Sequence, residues 1–371
     1  MRQNAVARCE FVYPWLFECK LDLLLFFLPI LFAVPLTIAA GGSVIAKAPV
    51  LLAVLLDGFG IGAFHLGATW YHYFDERNRK HYTSRSNLWW SAILPVVLII
   101  STIGGSIFAP DLVYFVYLVW TIQHLTQQNV GILRLYHNQP SIEAVVERSL
   151  EASTVQAAAV MFGFMFLARI VMPHTWQATV VQITAALCAI EFSSVMVRYI
   201  RQLFSQLRSG KALNVPAQAF WIISLVFLAP LGCFAQSISQ GIILALFMHW
   251  IQYIGLNAIL VQKKYAQPGE KRFVLTGRPL VLFCTIGFLF ALIKVPAETL
   301  TALNVGQMTW QYQIVNGLFL GLAFTHYLQD TFIWRFKDEF NKQAILQFLK
   351  PTKTESTIIG ANPRLAARIQ F

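Results

Sequence analysis

The chain has 371 residues, 57% of them hydrophobic and only 12% charged, with a mean hydropathy of +0.59 and a formal net charge of +11. Soluble domains carry about 25% charged residues, so this composition excludes a soluble enzyme or binding module. The apolar runs are continuous and near 20 residues long, which is the length of a membrane-spanning helix. They do not alternate in tens as barrel strands do. The expected fold is therefore all-α: a polytopic membrane helical bundle over residues 1–336, followed by a polar cytoplasmic tail at 337–371.

Taken in chain order, membrane spans are predicted near 22–41, 49–73, 89–108, 112–133, 156–172, 177–197, 218–235, 240–262, 279–296 and 312–334. The first run, "LDLLLFFLPILFAVPLTIAA", is too long for the apolar core of a cleavable signal and is expected to remain as a helix. Ten spans put both termini on one side. With that side cytoplasmic, Lys47, Arg169 and Lys294 are the only ones of the 28 Lys and Arg residues that fall outside. This is the asymmetry of the positive-inside rule. The basic charge is accounted for by topology and by anionic lipid headgroups, and no nucleic-acid partner is expected. The asymmetry also suggests a bacterial inner (cytoplasmic) membrane.

The outer connections, such as "APD", "PHTW" and "QSISQ", are short, and no external domain is expected. In the tail, "DEFNKQAILQFLK" has an amphipathic pattern. The spaced glycines of "DGFGIGAFHLG" lie inside an apolar run with no preceding strand, so they predict close helix packing and not a phosphate loop. The five cysteines form no CxxC pair, and neither a disulfide framework nor a thiolate metal site is indicated. The GxSxG, HExxH and Walker patterns are absent.

The ionisable residues inside the spans carry the functional signal. His81, His137 and His174 fall in loops or turns and are expected at the surface. His65, His124, His249 and His326 are deeper, on the second, fourth, eighth and tenth spans. Each lies nine to fourteen residues before the first cytoplasmic charge, or roughly 13–21 Å from the inner boundary of a core about 30 Å thick. Glu191 on the sixth span sits slightly closer to the inside. Each residue belongs to a polar stripe: His65, Thr69 and His72, continued by Asp75; His124 with Gln127 and Gln128; His249 with Gln252 and Tyr253; and His326 with Gln329 and Asp330. Polar side chains in hydrocarbon are costly and face the bundle interior, so these stripes predict one shared buried site.

Imidazole with carboxylate suits non-haem iron, mononuclear or di-iron, and also zinc, copper or manganese. The expected ligands are His65, His124, His249 and His326, with Asp330 and Glu191 as ligands or as partners of the ligands. His72 and Asp75 form a further candidate pair, for which an interfacial hydrogen bond competes. Gln128, Gln252 and Tyr253 are expected to orient substrate or bound oxygen. The corresponding function is a metal-dependent oxidoreductase or oxygenase acting on a hydrophobic, lipid-soluble substrate, with an electron donor as a further partner. Two alternatives use the same residues. One is non-covalent haem held by histidine pairs, since no CxxCH attachment motif occurs. The other is a proton-coupled transporter or channel, against which stands the lack of paired, Gly/Pro-broken repeats.

The segments "FHLGATWYHYFD" (64–75), "IQHLTQQNVGILRLY" (122–136), "HWIQYIGL" (249–256) and "HYLQDTFIWRF" (326–336) resemble blocks of multi-helix bacterial membrane proteins with scattered intramembrane histidines. That resemblance implies architecture and no activity. In the style of its site, with single histidines on separate helices, the chain also resembles the Brp/Blh-type membrane carotene dioxygenases. Those hold iron with membrane-embedded histidines and cleave an apolar polyene. The resemblance implies an iron site and leaves the substrate open. The HxxxH and HxxHH clusters of membrane fatty-acid desaturases are absent.

Overall fold

The computed structural model describes residues 11–31, 61–138, 145–171, 176–235, 238–266, 279–302 and 309–349, and these are mostly helical. In chain order the elements are β1 (Phe11–Val12), α1 (Cys19–Asp22), α2 (Ile61–Tyr71), α3 (Glu76–Tyr82), α4 (Leu94–Phe108), α5 (Pro110–Tyr136), α6 (Arg148–Phe166) and α7 (Trp176–Arg208). They continue as β2 (Leu213–Asn214), α8 (Val215–Val226), α9 (Ala229–Cys233), α10 (Ile238–Tyr265), α11 (Pro279–Ala302), α12 (Trp310–Ile333) and α13 (Glu339–Ala344).

Each apolar run predicted from residue 89 onward coincides with helix. Residues 32–41 of the first run and 49–60 of the second lie outside the described residues, and the described parts of both are helical apart from the end of the second. Pro230 cannot donate an amide hydrogen, and the run at 218–235 is accordingly broken between α8 and α9. Among the described residues, four stretches are long and apolar enough to cross a membrane: Trp89–Phe108, Arg148–Ile170, Ala178–Arg208 and Val215–Cys233. The third has a mean hydropathy of 1.8, yet only 11% of its apolar window is buried. Ile183, Leu187 and Ile190 are all exposed on α7. A contiguous apolar surface of this kind needs a nonaqueous neighbour.

The chain divides into two compact units. One comprises residues 1–28, 126–229 and 349–371, and the other residues 29–125 and 230–348.

In the first unit, β1 and β2 pair in parallel, Phe11 opposite Leu213 and Val12 opposite Asn214. Asn214 then caps α8 by accepting from the Ala217 amide at 3.1 Å, with Pro216 in the first turn, where a missing N–H costs nothing. Asp22 is fully buried and accepts from the Leu16 amide at 2.7 Å and the Tyr136 hydroxyl at 2.9 Å. Phe26, Tyr136 and Phe220 pack around that point with ring centroids 5.6–6.3 Å apart. His137, expected at the surface, is buried here, with Nε2 2.7 Å from Glu151 Oε2. The residue does lie in the turn after α5, but Glu151 and the Arg148 side chain, which donates to the His137 carbonyl at 2.8 Å, cover it.

In the second unit, glycines let helices approach closely. A Cβ on Gly67 of α2 would meet Gly287 Cα of α11 at 3.0 Å, and a Cβ on Gly321 of α12 would meet Ile99 Cα of α4 at 2.8 Å. Gly67 ends the "DGFGIGAFHLG" segment, where packing through small residues was expected. At the end of α2 the chain makes a 3-10 turn, His72–Phe74, and Asp75 caps α3 by accepting from the Asn78 amide at 2.9 Å. The same carboxylate lies 2.7 Å from Lys264 Nζ and accepts from the Tyr265 hydroxyl. Lys264, counted in the sequence as an ordinary cytoplasmic charge, is buried. The start of the tail is ordered against this unit, with Phe340 of α13 stacked on His81 at 3.7 Å.

Candidate metal centre

Four helices of the second unit each bring one histidine to a common point. They are His65 on α2, His124 on α5, His249 on α10 and His326 on α12, with relative exposures of 2%, 4%, 0% and 0%. Their chain separations are large, so tertiary packing assembles the group. One nitrogen from each can be chosen such that all four lie within 4.8 Å of one another. A zinc–imidazole bond is about 2.1 Å long, so in a tetrahedral site the ligand nitrogens stand about 3.4 Å apart. A pair at the 4.8 Å limit would close by roughly 1.4 Å to reach that spacing. Four buried histidines in this arrangement could hold a metal ion.

The rings are in direct contact. Ring centroids are 4.3 Å apart for His65 and His326, 4.4 Å for His65 and His249, 4.8 Å for His124 and His249, and 4.9 Å for His124 and His326. Tyr327 stacks on His124 at 4.3 Å, and its hydroxyl lies 2.9 Å from Thr121 Oγ1. Tyr253 closes the His65 side at 4.6 Å. Buried polar atoms nearly always find a hydrogen-bond partner. Yet His65 Nδ1, His124 Nε2 and His326 Nε2 have none among the described residues. His124 Nε2 and His326 Nε2 both stand within 4 Å of Asp330 Oδ2, so this pair begins a donor set that a cation would satisfy, and His65 turns its other nitrogen, Nε2, to His249.

Asp330 is the carboxylate beside the histidines, one helical turn after His326. Its Oδ2 stands 3.8 Å from His326 Nε2 and 3.9 Å from His124 Nε2. Those distances are too long for hydrogen bonds but are near the spacing of two ligands on one ion. Its Oδ1 accepts from the Tyr253 hydroxyl at 2.6 Å and from Thr69 at 3.0 Å.

The remaining candidates are placed differently. Glu191 is exposed on α7 and belongs to the other unit. Counting residues from the inner boundary gave its depth but not the side of the helix it occupies. His72 is buried, but its Nε2 pairs with Asn257 Oδ1 at 3.0 Å, and Asp75 is taken up by Lys264 and Tyr265, so each has polar partners other than the four histidines. Gln252 is buried on α10 three residues after His249, and Gln128 is half-buried on α5. His174 lies outside the described residues. Thr69 belonged to a polar stripe in the sequence without a role of its own, and it is in contact with His326, Tyr253 and Asp330 at once. Its i, i+4 spacing from His65 on α2 was the available signal. Compared with known proteins, the chain matches no family model, no curated protein and no solved structure.

Proposed function

We propose that this protein is an integral membrane metalloenzyme that oxidises a hydrophobic, lipid-soluble substrate at a single non-haem iron ion held by His65, His124, His249 and His326, with Asp330 beside them. The observation that carries this reading is the convergence of four buried imidazoles onto one point, with the unsatisfied Nε2 atoms of His124 and His326 both beside Asp330. In this reading the chain crosses a bacterial inner membrane ten times with both termini cytoplasmic, and an electron donor reaches it from that side.

Neutral imidazoles suit divalent iron, copper and zinc alike. Iron is favoured because a four-histidine set leaves coordination positions open, and open positions on iron(II) are where dioxygen is activated. The protein's own residues supply the setting. The four rings exclude water from the centre, Tyr327 and Tyr253 brace them, and Asp330 supplies a negative charge that balances a cation in a low-dielectric interior. The exposed apolar surface of helices such as α7 fits a protein whose substrate arrives through the bilayer. Direct ring-to-ring packing at 4.3–4.9 Å leaves no room for a macrocycle between histidine pairs, which favours a bare ion over haem.

The test is a comparison of lipid extracts from cells expressing the wild type or His326→Ala, grown under isotopically labelled dioxygen. A labelled apolar product found only with the wild type is expected. Identical extracts from the two, with both proteins present in the membrane, would overturn the oxygenase reading.

A further inference from the structure

Thr69 Oγ1 lies 2.5 Å from His326 Nδ1, 2.8 Å from the Tyr253 hydroxyl and 3.0 Å from Asp330 Oδ1. The residue is fully buried, so no water competes for these contacts. A hydroxyl has one hydrogen to donate and two lone pairs that accept. Thr69, Tyr253 and the His326 ring bring at most three hydrogens to the four contacts among Thr69, Tyr253, His326 and Asp330, so one contact carries none.

Asp330 Oδ1, as a carboxylate oxygen beside a cation, only accepts. It takes the hydrogen of the Tyr253 hydroxyl at 2.6 Å. The Tyr253 oxygen in turn accepts from the Trp334 indole N–H at 3.4 Å. The carboxylate is the strongest acceptor in the group, so Thr69 donates to Asp330 at 3.0 Å, and the 2.8 Å contact between the Thr69 and Tyr253 oxygens is the one left without a hydrogen. The contact to His326 must therefore be filled from the other side, by Nδ1–H donating to Thr69. A neutral imidazole that carries its hydrogen on Nδ1 keeps its lone pair on Nε2. His326 Nε2 is the atom with no hydrogen-bond partner among the described residues, and it faces Asp330 Oδ2 and the other histidines.

We propose that Thr69 is a positioning residue of the metal centre: it relays Asp330 and Tyr253 to His326 and fixes the tautomer and ring orientation that present Nε2 to the ion. The proposal rests on the metal-centre reading above. It differs from a packing role in one respect. Packing needs the shape of the side chain, which Val reproduces, and the relay needs the hydroxyl, which Ser reproduces. Partners of metal-bound histidines of this kind change metal affinity by roughly 10–100-fold when removed.

The experiment uses the full chain purified in detergent, stripped with chelator and titrated with cobalt(II), whose bound form is read by visible absorption. Thr69→Ser is expected to bind as the wild type does. Thr69→Val is expected to bind about 10–100-fold more weakly, with an altered absorption band and an unchanged melting temperature. If Thr69→Val misfolds, Thr69→Ala removes the same hydroxyl with less bulk and reads the same quantity. Wild type and the hydroxyl-free variant binding cobalt equally well would overturn the relay and leave the metal centre standing. A wild type that takes up no cobalt would overturn the metal centre, and the relay with it.

Discussion

His65 Nε2 lies 3.0 Å from His249 Nε2, nitrogen facing nitrogen across two helices. Without an ion, a single hydrogen must bridge that contact. With one, each ring turns a lone pair towards the cation. The contact makes His249 a demanding position to truncate. His249→Ala and His326→Ala are each expected to reduce bound metal more than the loss of an outer partner, which is about 10–100-fold. His81→Ala, which removes only the ring stacked on Phe340, is expected to retain the full amount. Metal content per folded chain, measured on monodisperse fractions, checks this.

The helices and the four deep histidines were legible in the sequence because both follow from one-dimensional distances. Run length gives a helix, and residue count gives a position along it. Direction around a helix axis is harder to read. Glu191 had a comparable place along its helix yet is exposed, whereas His326 and Asp330, one turn apart in the same stripe, are both buried. Lys264 and His137 were assigned to the surface by their place in loops, and both are buried by partners far along the chain or across a turn, Asp75 and Glu151. Thr69 was visible only as one member of a polar face, because the contacts that give it a role come from α10 and α12.

Breaking the His137–Glu151 contact should separate stability from metal binding. His137→Ala leaves a buried carboxylate without its imidazole partner, and a stranded polar group costs about 1–3 kcal/mol, more when charged. A lower melting temperature with unchanged metal per folded chain is expected. A parallel loss of metal would mean that this contact supports the centre.

Lys264 and Asp75 form a buried ion pair. Burial alone would raise the Asp75 carboxyl, but Lys264 and the hydrogen bonds from Tyr265 and Asn78 outweigh it and hold the group below its ordinary value of 3.8. The folded value is thus the lower one. The stabilising contribution is complete above the ordinary carboxylate range and is lost as pH falls through the depressed folded value. Lys264→Met is expected to destabilise the protein by about 3–5 kcal/mol, because it strands a buried charge. Asp75→Asn should flatten the acid limb of the stability profile. Thermal unfolding in detergent across acidic pH reads both effects.

Gly67 is a packing position with no spare space. In Gly67→Ala the added carbon meets backbone atoms of Gly287 and Ile286 at 3.0–3.2 Å, and backbone cannot rotate away as a side chain can. A loss of about 1–3 kcal/mol is expected from overpacking, read as a lower melting temperature. Because His65 and Thr69 share α2 with Gly67, a weaker metal affinity should accompany it.

The most direct measurement is elemental analysis of the detergent-purified wild type by inductively coupled plasma mass spectrometry, after washing with metal-free buffer that contains no chelator. The account predicts one transition-metal ion per chain, iron first, absent from His249→Ala and His326→Ala. A folded, monodisperse wild type free of metal would contradict it, and would favour a proton-coupled transporter that uses the same buried histidines and Asp330.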